Sequence, residues 1–147
     1  MREYAKLWIG YNSKICNRSC KQLNSIRISG ADESDAVTRN AVKELKDGLK
    51  AMLDIEPDVT FGSFTMPGPV TDGKSILDRE EYTISMKDDG MVIEAKSPSG
   101  ALYAAFDILR TVACEKKIEE VYASGKTVRP SNPLRMLNHW DNIDGSI

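Results

Sequence analysis

Two segments of the chain carry apolar residues at the spacing of a helix that buries one face. In the first, Asp32 or Ser34 is placed to cap a helix that runs to about Leu53. The second is predicted to begin at Ser97 and Pro98, since serine caps helices and proline suits the first helical position. Its buried stripe is predicted to be Ala101, Leu102, Ala105, Phe106, Leu109, Val112 and Ala113. Each helix should therefore pack one face against the rest of the domain.

Alternating and branched residues predict the strands. Strands are expected at residues 4–11, 23–28, 58–65 and 118–122. The clearest pattern is a β-hairpin. Residues 82–86 alternate, Asp88, Asp89 and Gly90 supply a turn, and residues 91–95 form the returning strand. Strands and helices in this order predict an α+β fold, with two helices on one face of a small, mostly antiparallel sheet.

The last residues of the chain depart from this pattern. Residues 129–133 contain two prolines and resemble a linker, and a new strand is predicted to begin at Leu134. This strand runs towards Ile147 with no closing element, so we expect the chain to be cut from a longer protein. The predicted organisation is an accessory domain at residues 1–128, the linker, and the start of another unit at residues 134–147.

Composition and charge exclude several classes of function. The 147 residues suffice for one domain but not for a complete (β/α)8 barrel, which needs about 250. Twenty Lys and Arg residues are interspersed with 22 Asp and Glu residues, and the net charge of −2 includes no basic block for nucleic acid. No apolar run is long enough to cross a membrane. We therefore expect neither a nucleic acid nor a membrane as partner.

The cysteines and the first residues favour a cytoplasmic location. Cys16, Cys20 and Cys114 match neither a disulfide framework nor a common zinc spacing. Residues 1–15 lack the apolar core of a signal peptide, although a trimmed chain would lack its signal too, so secretion of the parent protein stays open. Cys114 is predicted to lie towards the inner face of the second helix, where a thiol is inert.

The residues that suggest chemistry lie close to the end of the sequence. His139 beside Asp141 could form an acid–base pair, but a structural role is preferred, and no metal site is predicted because further ligands are missing nearby. Asp141 and Asp144 could be the carboxylate pair of a glycosidase, but loop residues bonded to their own backbone are favoured. Trp140 is an apolar ring among polar side chains, as in a carbohydrate pocket or at the exposed end of an unfinished core. No phosphate-binding glycine pattern occurs, and no cofactor is predicted.

Residues 134–147 contain the long and unusual motif Asn-His-Trp-Asp-Asn-Ile-Asp-Gly. This segment resembles the opening of the catalytic barrel in the α-glucuronidases of glycoside hydrolase family 67. The hairpin at residues 82–94 and the Gly-x-x-Tyr pattern that starts at Gly100 resemble the accessory domain before the barrel in hexosaminidase-like glycosidases. The resemblance covers most of the chain, loosely before residue 82 and closely after residue 134.

The resemblance implies a fold, an activity and one site residue. The fold would be a hexosaminidase N-terminal-domain-like α+β domain, followed by the first strand of a truncated (β/α)8 barrel. Enzymes of this family remove 4-O-methyl-D-glucuronic acid, linked α-1,2 to the terminal xylose of xylo-oligosaccharides, with inversion. Their catalytic acid and base lie on later barrel strands, so no catalytic residue is expected in this chain. Trp140 corresponds to the tryptophan that walls the uronate pocket, and it is the predicted substrate-binding residue.

Two hypotheses of different classes follow. In the first, which we adopt, the chain is the non-catalytic N-terminal domain of an α-glucuronidase that acts in xylan degradation. Its apolar surfaces would dock on its own barrel, the substrate would be a glucuronic-acid-bearing xylo-oligosaccharide, and the parent could be a homodimer. In the second, the chain is a free-standing module that binds carbohydrate through Trp8, Tyr11 and Trp140, or a protein through an exposed sheet face. A small enzyme that uses His139 and Asp141 is a less favoured third hypothesis.

Overall fold

The computed structural model describes residues 21–63, 78–87 and 89–132 of the chain. A short 3-10 turn at Lys21–Asn24 precedes the regular elements. These are β1 (Ser25–Ser29), α1 (Ala36–Leu53), β2 (Asp58–Phe61), β3 (Tyr82–Lys87), β4 (Gly90–Ala95), α2 (Pro98–Ala113), α3 (Ile118–Tyr122) and β5 (Lys126–Val128). The α+β class predicted from the sequence is confirmed.

The described strands form one sheet in the order β2-β1-β4-β3-β5. β1 is parallel to both of its neighbours, whereas β3 is antiparallel to β4 and to β5. The sheet is therefore mixed, and the expectation of a mostly antiparallel sheet is wrong. The physical reason is that α1 connects β1 to β2 as a crossover, which makes that pair parallel, whereas a local sequence pattern indicates only the β3–β4 hairpin.

One face of the sheet forms the core. Side chains alternate along each strand, so the fully buried Ile26, Ile84 and Ile93 point to the same side. α2 packs against β3 and β4, and α1 packs against α2. Leu45 and Leu49 of α1 belong to the same buried cluster as the sheet isoleucines. Both long helices thus share one hydrophobic core with this face, while the opposite face carries polar side chains.

The caps set the first residues of both long helices. The carboxylate of Asp35 accepts hydrogen bonds from the amides of Val37 and Thr38, at 2.7 and 3.4 Å, so α1 begins after Asp35. Asp32 instead accepts from the Ser34 amide in the preceding turn, which corrects the predicted cap. For α2 the prediction is confirmed, since the Ser97 hydroxyl accepts from the Gly100 amide at 3.1 Å and proline follows at the first helical position.

Several predicted boundaries need correction. Residues 118–122 form the short helix α3 and not a strand, because the buried Ile118 and Tyr122 lie one helical turn apart. Cys114 caps the C-terminal end of α2 and is exposed, so its predicted inner position is wrong. The strand predicted at residues 4–11 and the segment at 134–147 lie outside the described residues.

Candidate functional site

A buried carboxylate organises a polar cluster between α2 and the edge of the sheet. Asp107 in α2 is only 3% exposed. The Lys126 ammonium of β5 lies 2.9 Å from Oδ1 and 2.7 Å from Oδ2 of Asp107. The Tyr82 hydroxyl donates to Oδ2 at 3.2 Å, and Nη2 of Arg110 lies 3.4 Å from Oδ1. Both carboxylate oxygens are therefore engaged, and Lys126 balances the buried charge.

Two tyrosines complete this cluster. Burial raises the pKa of Tyr82 above its ordinary value, and the charge of Asp107 and the hydrogen bond to it raise it further. Burial also raises the pKa of Tyr122 to about 12. The Tyr122 hydroxyl lies 2.8 Å from that of Thr111, and the Lys126 ammonium lies 5.7 Å from the centroid of the Tyr122 ring. At neutral pH both tyrosines keep their protons and serve as hydrogen-bonding groups, not as bases.

The cluster is suited to hold structure rather than to transfer protons. A glycosidase uses two carboxyl groups about 5–10 Å apart on either side of the scissile bond, one of them free to receive or donate a proton. In the part of the chain that the structure describes, Asp107 is the single buried acid, and its oxygens are occupied by Lys126, Tyr82 and Arg110. These contacts join α2, β3 and β5, so the cluster fixes the short edge strand β5 in place.

From the sequence alone, only Asp107 and Arg110 of this cluster could have been recognised. Asp107 is a charged residue inside an otherwise apolar helical stripe, and such a position needs a partner once it is buried. Arg110 lies one turn further on and could be named as a neighbour from its spacing. Lys126 and Tyr82 belong to other elements, and only the folded topology brings them to Asp107.

A groove of about 470 Å³ runs along α2 beside the cluster. It is lined by Tyr82, Tyr103, Phe106, Asp107, Leu109, Arg110 and Ala113. Tyr103 is 39% exposed and is a large apolar side chain at the surface of the described residues. The groove is therefore mainly apolar, with one exposed cation, Arg110, at its side.

A second depression, of about 420 Å³, crosses the opposite face of the sheet. Its lining is mostly polar and charged, with Arg27 and Lys87 facing the same space as Asp89 and Glu94. None of its described lining residues is aromatic.

The structure leaves most predicted site residues untested. Outside the described residues lie Trp8, Tyr11, Trp140, His139, Asp141 and Asp144. Within the described ranges no three His, Cys, Asp or Glu side chains are grouped as a metal site would require. Among the same residues, none of the helices combines the length and the apolar character needed to cross a bilayer.

Comparison with known proteins finds several relatives named alpha-glucuronidase A. No protein-family model matches it. "Probable alpha-glucuronidase A" of Aspergillus niger is 37% identical over 154 residues, and the protein of the same name from Aspergillus fumigatus (strain CBS 144.89 / FGSC A1163 / CEA10) is 28% identical over 155. "Alpha-glucuronidase A" of Aspergillus tubingensis is 28% identical over 158 residues. Each match covers 95% of this chain but only 18% of the relative's length. The resemblance to α-glucuronidases inferred from the sequence is confirmed.

Proposed function

We propose that this chain is the non-catalytic N-terminal domain of an α-glucuronidase. One observation carries the proposal: similarity to proteins named alpha-glucuronidase A extends over 95% of the chain, while the chain spans 18% of their length. The intact enzyme would remove α-1,2-linked (4-O-methyl)glucuronic acid from xylo-oligosaccharides during xylan degradation. The complete engagement of Asp107 supports the non-catalytic role of the described residues.

In this proposal the chemistry belongs to the rest of the protein. Inversion at the anomeric carbon needs a general acid and a general base about 6.5–9.5 Å apart, with room for a water molecule between the base and the sugar. Both groups would lie on strands of a (β/α)8 barrel beyond residue 147. Trp140 would wall the uronate pocket, since an apolar ring shields the sugar face while polar neighbours bond to its hydroxyl groups.

The domain itself would orient the start of that barrel. The Asp107–Lys126 ion pair fixes β5, the strand that leads directly into residues 129–133. Arg129, the first residue after β5, pairs with Asp78, its Nη2 lying 2.6 Å from Oδ1. Both side chains are exposed, so this pair adds less than the buried one. The direction in which the chain leaves the sheet would thus be set mainly by the buried pair.

The test compares this chain with the complete reading frame of its gene. Both proteins are incubated with an aldouronic oligosaccharide, and released uronic acid is measured. The complete protein should release it and the 147-residue chain should not. Release by the chain alone would contradict the non-catalytic role, and no release by the complete protein would contradict the α-glucuronidase assignment.

Trp140 is tested in the complete protein. Trp140→Ala should raise KM for the oligosaccharide at least tenfold, because the apolar wall of the uronate pocket is lost. Trp140→Phe, which keeps an aromatic face, should retain most of the affinity. An unchanged KM in both variants would remove Trp140 from the binding site.

Calorimetry distinguishes the alternative of a free-standing module. The isolated chain is titrated with xylo-oligosaccharides that carry glucuronic acid. A structural domain should give no binding heat at millimolar sugar, whereas sub-millimolar affinity would favour the carbohydrate-binding hypothesis.

A further inference from the structure

We draw no further inference here: the strongest candidate, the mainly apolar groove that Tyr103, Phe106 and Arg110 line along α2, carries none because nothing in the described residues shows what covers it.

Discussion

The two long helices bury their residues in different ways. α1 packs one side into the core and exposes a charged side, where Lys43 pairs with Asp47 at 2.6 Å and Lys50 pairs with Asp54 at 2.7 Å. α2 carries only two charged residues, the exposed Arg110 and the buried Asp107, and Asp107 is paired inside the protein. Water therefore surrounds the outward side of α1, whereas a mainly apolar groove runs beside α2.

For the same reason, the ion pairs of the two helices should contribute differently to the free energy of unfolding. Ion pairs in contact with solvent gain little, because water already stabilises each charge and long side chains lose freedom when they pair. A buried carboxylate has lost its water and depends on the groups around it. Comparable substitutions in α1 and α2 should therefore have very different effects on stability.

The largest expected effect is the loss of the buried charge. Asp107→Asn keeps the shape of the side chain but leaves the Lys126 ammonium without its counter-charge. Because Lys126 is 35% exposed and stays partly hydrated, we expect the free energy of unfolding to fall by about 1–3 kcal/mol. Asp47→Asn is the matched change in α1, and it should leave stability almost unchanged because that carboxylate is in water. Urea unfolding of both variants measures the difference. Equal losses would contradict the distinction between the two helices.

High pH should weaken the contacts of α2 in a defined window. Folding raises the pKa of Tyr82 and of Tyr122, the latter to about 12. Their contribution to stability is therefore complete below pH 10, the ordinary tyrosine value, and is lost as the pH rises through the folded-state values. Each group should reduce the free energy of unfolding by about 1.4 kcal/mol per pH unit across this window. Tyr82→Phe and Tyr122→Phe should each flatten the curve.

The lysines of α1 provide the control for this pH dependence. Hydrogen bonds to Asp47 and Asp54 raise the pKa values of Lys43 and Lys50, so these pairs also weaken at high pH. Both pairs are exposed, and high salt should screen them, whereas the buried tyrosines should be unaffected. The alkaline loss measured in 1 M salt should therefore come from the surroundings of α2. A loss that disappears in salt would contradict this assignment.

The sequence predicts the parts of this fold that depend on local patterns. Both long helices and the β3–β4 hairpin follow from periodicity, caps and a turn, all contained within a few neighbouring residues. α3 is mistaken for a strand because five residues are too few to separate the two periods. The parallel pairings of β1 and the contact between Asp107 and Lys126 join distant residues, so no local pattern contains them. Trp140 is assigned from its polar neighbours and from the resemblance of a motif, and its role stays a prediction.

The smallest predicted effect compares the caps of the two helices. Asp35→Ala removes an acceptor for two amides of α1, and Ser97→Ala removes an acceptor for one amide of α2. Each should lower the free energy of unfolding by about 1 kcal/mol, with Asp35 the larger because its charge also interacts with the N-terminal end of the helix dipole. Asp35→Asn keeps the hydrogen-bond acceptor, so it should lower the free energy of unfolding only by the contribution of the charge to the helix dipole interaction. If Ser97→Ala has no effect in urea unfolding, the packing of α2 against the sheet and α1 alone sets where that helix begins.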